Sequence, residues 1–491
     1  MELFQTLFSN VWAGFLVVLF FGGSIFVHEL GHFLAARWRG MHVERFAIGF
    51  GPKIFSWRGK DGVEYCLCWL PLGGYVALPQ LADMRAIEGE TSAEVAKLPP
   101  PSYLSKVIVS AAGAVFNVIF AFLLACFIWI GGQEAPIDPQ TNRIGVVLPE
   151  IESANGKMSP GPAFIAGLKQ GDLVTAVDGK SVSSLSDIQS LIMLGSGRGP
   201  NGEPKVDLTV QRDSGETHIE VFPVFVSQEK IRDIGVELAG TVTINTVLDA
   251  SPAMQAGLKP GDTITHLDGE TVGYAGFVQR YLRTKQGAPV QVTIRRTDGV
   301  QTLLVTPRKM IDPETQLAVF RLGISLDASI PTHLVHIPPW TQIRSHALGF
   351  YRTLESLLSP KSDVGLSKMS GPIGIAKGLH SLARFDFRLV LWFTILINVN
   401  LAIFNLMPIP VLDGGHILFA TIGKLRGRAL PIDFIATTQS IFIVILFSMI
   451  IYVSFFDVRR IVRDNHYEKP AKAAPTEPQA TPPATPAPAT P

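Results

Sequence analysis

Apolar positions along the chain gather into four long runs, separated by stretches with a different period. Residues 1–36, 104–130, 386–412 and 431–458 are each dominated by Leu, Ile, Val, Phe, Ala and Gly. Every run exceeds the roughly 20 residues a helix needs to cross a hydrocarbon layer about 30 Å thick. The pattern predicts four transmembrane helices, with the small and aromatic residues that packed spans and interfaces use. The first ten residues hold no Lys or Arg, and no small-residue cleavage pattern follows, so the first run is read as a retained span.

Between the second and third runs the period falls to two and the chain repeats itself. Ala166-Gly-Leu-Lys-Gln-Gly-Asp-Leu-Val-Thr-Ala-Val-Asp-Gly-Lys-Ser-Val182 matches the segment from Ala256 to Val272 at ten of 17 positions. Each copy reads as a helix end, a Gly-Asp turn, a strand and an Asp-Gly hairpin turn. This repeat resembles the PDZ domains of bacterial membrane proteases. It is expected to give two such domains, at 141–228 and 232–326, opened by Ile144-Gly-Val-Val and Ile234-Gly-Val-Glu as first strands. Residues 327–385 have helical apolar spacing and predict amphipathic linker helices. Residues 469–491 are nearly all Pro, Ala and Thr with no apolar period, and predict a disordered tail.

Charge orients the spans. The segment 37–103 carries Arg37, Arg39, Arg45, Lys53, Arg58, Lys60, Arg85 and Lys97, which places it in the cytoplasm. Lys424, Arg426 and Arg428 agree, while Arg459, Arg460 and Arg463 count the other way. The repeat is therefore expected outside the cytoplasm. Composition adds exclusions: 47% of the 491 residues are hydrophobic and only 17% charged, against about 25% in ordinary soluble domains. A net charge of +1 without a basic, aromatic-studded stripe gives no nucleic-acid partner. Three cysteines make neither a disulfide framework nor a four-Cys zinc site, and Cys66, Cys68 and Cys126 are read as packing residues.

The chemistry concentrates in His28-Glu29-Leu30-Gly31-His32, inside the first span. Four helical residues turn through about 400°, so the two imidazoles emerge about 40° apart and can grip one ion with Glu29 beside them. Two His and a Glu at membrane depth cost several kcal/mol unless they bind something or face an interior. A catalytic zinc takes a third protein ligand. Glu44 and Glu64 are conceivable but lie in the loop. Asp413 is the better candidate, in Asn405-Leu-Met-Pro-Ile-Pro-Val-Leu-Asp-Gly-Gly-His416, where Pro408 and Pro410 break the third run and Gly414 and Gly415 are expected to let the backbone turn. His416 is a second choice of ligand.

An intramembrane His-Glu-x-x-His, a distant Asn-x-x-Pro-x-Pro-x-Leu-Asp-Gly and a PDZ-like pair between them resemble the site-2 protease family of intramembrane zinc metalloproteases, of the regulator of sigma-E protease type. The resemblance implies a membrane α-helical fold: four transmembrane helices with a zinc-binding core and two inserted extracytoplasmic, mostly β PDZ domains. It implies zinc on His28, His32 and Asp413, Glu29 as general base, and substrate contacts from Asn400, Asn405 and Asn117, the last within Gly113-Ala-Val-Phe-Asn117. Gly49-Phe-Gly-Pro52 and Pro71-Leu-Gly-Gly-Tyr-Val76 imply a re-entrant β-hairpin within 37–103, and Ser370-Gly-Pro-Ile373 matches a segment before the third span. Ala77-Leu-Pro-Gln80 and the acidic stretch after it depart from the family pattern. The implied activity is cleavage of single-pass membrane proteins already trimmed by another protease, either an anti-sigma factor or a remnant signal peptide, with a peptide or ectodomain at the PDZ domains. A monomer in the bacterial inner membrane is expected, with the active site toward the cytoplasm. The competing reading is a catalytically inactive, membrane-anchored PDZ scaffold.

Overall fold

The computed structural model describes residues 2–80, 99–136, 142–155, 157–227, 229–311, 318–329, 332–428 and 430–467. The acidic stretch within 81–98 and the tail from 469 fall outside the described residues. The chain divides into two compact units, one made of residues 1–113, 366–390 and 405–491, the other of 114–365 and 391–404. Among the described residues four helices are long and apolar enough to cross a membrane: Val11–Trp38, Tyr103–Gly131, Phe387–Asn405 and Ile432–Arg463. The third is shorter than its apolar run. It stops at Asn405 because Pro408 lacks an N–H and disfavours helix in the residue before it. A short turn follows, with Leu412 N–H donating to Ile409 O at 2.9 Å, and a new helix starts at Asp413 and runs to Leu425.

In the first unit the opening helix, Glu2–Trp38, leads into a hairpin of two 14-residue strands, Arg45–Arg58 and Glu64–Ala77. Ala47 pairs with both Tyr75 and Cys66, and Cys66 pairs also with Ser56. Each strand therefore folds back on itself, and segments 74–77, 45–48, 64–67 and 55–58 lie side by side. Gly49 and Gly51, at φ of 86° and 89°, make the bend that a side chain would resist. One sheet face sends Phe46 and Val76 against Ala35 and Ala36 of the opening helix and Val109 and Ala112 of the second. Burying Phe46 and Val76 there contributes roughly 1.5–3 kcal/mol each. Cys66 and Cys68 are buried with Ala47 on the other face, and all three cysteines are free thiols.

Segment 366–374 is tied to the last helix, Ile432–Tyr467, within the same unit. The N–H groups of Gly371 and Gly374 donate to Asp457 Oδ2 at 3.0 and 2.8 Å, while Arg460 donates to Met369 O and to Asp457. The Asp457 carboxylate thus caps the helix Pro372–Ala383 from outside its own chain segment.

The second unit carries the repeat. In each copy a four-residue helix with Pro at its first turn, Pro162–Ile165 or Pro252–Gln255, leads through a left-handed glycine to a buried aspartate. Asp172 takes an N–H from Lys169 and both guanidinium arms of Arg212; Asp262 does the same with Lys259 and Arg296. Burial works to raise these carboxyls, and the facing guanidinium with the backbone N–H holds both below the usual carboxylate value. A strand follows, then Asp178-Gly179 or Asp268-Gly269, all four at positive φ as a tight hairpin turn requires. A helix, Leu185–Leu194 or Ala275–Lys285, and a two-stranded hairpin complete the pattern.

One expectation is corrected. Ile234-Gly-Val-Glu237 does not open the second copy. Val236 and Glu237 pair with Val147 and Val146, and Ile234 and Val236 are buried in the first copy's core. The same role in the second copy falls to Leu322-Gly-Ile-Ser325, where Ala253 N–H donates to Leu322 O just as Ala163 N–H donates to Ile234 O. The second copy's first strand is Thr241–Val247, so the boundary lies between Glu237 and Thr241 rather than near 230. The expected linker helix is present as Pro339–Leu358, and its far end joins the first copy through Arg352 with Asp187 at 2.8 Å and Lys180 with Glu355 at 2.6 Å.

Candidate metal centre

His28 and His32 stand one turn apart on the opening helix and are nearly buried. Their Nε2 atoms are 3.2 Å apart. Asp413 closes the triangle, with Oδ2 at 3.3 Å from His28 Nε2 and Oδ1 at 3.4 Å from His32 Nε2. Zinc bonds of about 2.0–2.1 Å in tetrahedral directions put neighbouring donors about 3.3 Å apart, so the three edges fit one zinc ion with a fourth direction left over. Asp413 Oδ2 is buried without a hydrogen-bond partner, a costly arrangement unless a cation sits against it. Among the described residues this is the one group of three or more His, Cys, Asp or Glu able to hold a metal ion.

Each donor is aimed by its neighbours. His32 Nδ1 donates to Val109 O at 2.7 Å, which leaves the Nε2 lone pair facing the site. Asp413 is the first residue of its helix, directly after the extended Leu412. Contrary to the expectation from the sequence, Gly414 and Gly415 do not make the turn, since neither has positive φ. They allow close approach instead: a Cβ on Gly415 would lie 2.6 Å from Pro410 Cα. Asn405 Nδ2 lies 3.5 Å from His28 Nε2, at the rim of the triangle. Asn117 and Asn400 belong to the other unit, Asn117 wholly buried and Asn400 with a buried Oδ1. Glu64 is committed to the hairpin through Arg45 Nε at 2.7 Å and Lys53, and Glu44 joins it only through its backbone, so neither loop glutamate enters the group.

Glu29 faces the hairpin. Val76 N–H donates to its carboxyl, and the missing side chain of Gly74 admits Glu29 Cγ to 3.1 Å of where a Cβ would stand. A cavity of about 20 Å³ is lined by Glu29, His32, Asp413, His416, Ser110, Val76, Leu78 and Val109. Its size admits one water. Ser110 and the Val109 carbonyl carry no signal in the sequence, and Gly74 stands out there only as part of the hairpin motif, because only tertiary packing brings them to Glu29 and His32.

Gly113 meets the same triangle. A Cβ there would lie 2.6 Å from His28 Cε1 and 2.8 Å from His28 Nε2. Gly113→Ala is therefore expected to displace the imidazoles and weaken zinc binding by about 10- to 100-fold, the range for disturbed support of a ligand. Chelator competition on the purified protein measures it, and an unchanged zinc affinity would show that the rings have room to spare.

The chain matches the model of peptidase family M50 over residues 16–449. It is 30% identical over 466 residues to the regulator of sigma-E protease RseP of Salmonella typhimurium, covering 91% of this chain and 99% of that one. It is 29% identical over 468 residues to the protease RseP of Yersinia pestis, covering 91% and 99%. A Vibrio cholerae relative, provisionally named a zinc metalloprotease, is 26% identical over 481 residues, covering 92% and 99%. Among solved structures, the PDZ domain of an SdrC-like protein from Listeria monocytogenes is 26% identical, covering 17% of this chain and 85% of that one, at a TM-score of 0.15.

Proposed function

The chain belongs to peptidase family M50, as a zinc metalloprotease of the site-2 protease type, and from that premise we propose that it cleaves single-pass membrane proteins within the bilayer after another protease has trimmed them. The observation that carries this reading is the triangle of His28, His32 and Asp413 with Glu29 on the wall of the same one-water cavity. His28, His32 and Asp413 would hold the ion and Glu29 would be the general base. When bound, zinc polarises the scissile carbonyl and lowers the pKa of a water. Glu29 would take a proton from the attacking water and deliver it to the amide nitrogen as the C–N bond breaks.

A substrate helix hides its peptide bonds and has to open before attack. The hairpin offers strand-like pairing for the opened segment, and Asn405 would take up amides and carbonyls released; for Asn400 and Asn117 a substrate contact rests on the family resemblance alone. The inactive-scaffold alternative is not favoured, since the chain keeps His28, Glu29, His32 and Asp413. The repeat copies are read as PDZ domains on the extracytoplasmic side of an inner membrane. In the second, Ile324–Ser329 is the edge strand beside the helix Ala275–Lys285, with a cavity of about 390 Å³ lined by Val278, Leu282, Leu322 and Ile324. An extended peptide fits such an edge.

Trimmed and untrimmed forms of one single-pass substrate test the proposal in reconstituted vesicles. Cleavage of the trimmed form at least tenfold faster is expected, with the new terminus inside the apolar segment by mass spectrometry. A cut outside that segment, or equal rates for both forms, would overturn the substrate class.

A further inference from the structure

Resting on the peptidase reading, we propose that His416 and Ser110 hold the attacking water for Glu29. The cavity beside Glu29 has room for one water, and a buried water needs two to four polar partners. Val76, Leu78 and Val109 give the wall apolar side chains. Beyond Glu29 and the donors His32 and Asp413, the polar side chains on that wall are His416 and Ser110. His416 follows Asp413 by three residues on the same helix, which puts both on one face and turns the ring into the cavity that Asp413 also lines. It stands outside the group whose donor atoms all lie within 4.8 Å of one another, so its place is beside the metal site rather than in the ligand set.

The water's own hydrogen bonds then distribute as follows. One O–H points to the Glu29 carboxylate and the other to Ser110 Oγ. One lone pair faces the position that His28, His32 and Asp413 would give the ion and the other attacks, while the pair freed as the proton passes to Glu29 accepts the imidazole N–H of His416. In the step itself a bond forms between the water oxygen and the carbonyl carbon, the π pair moves onto the carbonyl oxygen, and one water proton passes to Glu29. His416 keeps its proton throughout and acts by direction alone. Glu29 and Ser110 fix the water against rotation and His416 holds its oxygen in the transition state, which is where a positioned nucleophile gains its rate.

The test uses the full chain loaded with zinc, a model trimmed membrane substrate, and the variants His416→Ala, His416→Gln, Ser110→Ala and Glu29→Gln. For His416→Ala, kcat is expected to fall about 100-fold, the usual effect of one lost transition-state hydrogen bond, with KM within about twofold. His416→Gln keeps an N–H donor and is expected to recover about tenfold of that loss. Zinc stays at one per chain in both by elemental analysis. A high-resolution structure of zinc-loaded Glu29→Gln shows solvent density within about 3 Å of the His416 ring and Ser110 Oγ. Unchanged kcat in His416→Ala beside an inactive Glu29→Gln overturns the inference and leaves the peptidase reading standing. Loss of zinc in His416→Ala, or equal loss in Ala and Gln at equal melting temperature, also overturns it. Should His416→Ala fail to fold, His416→Gln and Ser110→Ala carry the test, the latter with kcat lowered about tenfold. Full cleavage by Glu29→Gln would discard Glu29 as the base and overturn the inference with it, whereas no cleavage by the zinc-loaded intact chain would sink the peptidase reading itself.

Discussion

Glu29→Gln is expected to lower kcat by about 10³- to 10⁴-fold, the contribution of a positioned general base, while the protein keeps one zinc and its melting temperature. The amide matches the carboxylate in shape, and its carbonyl oxygen can still accept the Val76 N–H that holds Glu29. It cannot take up a proton at neutral pH. The variant therefore removes the proton acceptor and leaves the His28, His32 and Asp413 triangle untouched. Because the protein remains whole, uncut substrate should accumulate in membranes carrying it, and comparing membrane peptides from cells with the intact chain and with Glu29→Gln identifies what is normally consumed. Activity within tenfold of the intact enzyme would discard Glu29 as the base, and the search would move to other groups on the cavity wall.

The second large effect concerns the ion itself. Zinc binding worth about 10–16 kcal/mol for four ligands allots roughly 2.5–4 kcal/mol to each, or about 10²- to 10³-fold in affinity. Asp413→Ala removes the one donor that is not on the opening helix, so its zinc affinity is expected to drop by that factor and cleavage to vanish after dialysis against chelator. Millimolar zinc should restore occupancy without restoring the rate, because the two remaining imidazoles do not fix the ion's position. Elemental analysis at graded free zinc reads the first effect and single-turnover cleavage the second. Wild-type zinc affinity in Asp413→Ala would move the third ligand elsewhere, and His416 would be the next donor to substitute.

How much of this was legible beforehand depended on the distance over which each feature is decided. The imidazole pair follows from the 3.6-residue turn alone, so His28-Glu29-x-x-His32 could be read as a site without knowing what surrounds it. The four spans follow from run length against bilayer thickness, although the third run overshot its helix by seven residues because Leu406–Leu412 stays apolar after the helix has ended. The repeat was visible as identity between Ala166–Val182 and Ala256–Val272, yet its boundary was not. Ile144-Gly-Val-Val and Ile234-Gly-Val-Glu look alike as strings, and only the pairing of Val236 with Val147 assigns the second to the end of the first copy.

Residue identity and local period determined the donor types, the spans, the repeat and the turn residues of this protein, since each rests on contacts within a few residues of chain. Tertiary structure alone decided that Asp413 meets a helix nearly 400 residues earlier, that Gly113 leaves room for two imidazoles, and that Gly74, Ser110 and His416 stand against Glu29. The physical reason is that packing is settled by which surfaces close on each other, and a glycine's missing side chain or a serine's hydroxyl has no meaning until its neighbour has arrived.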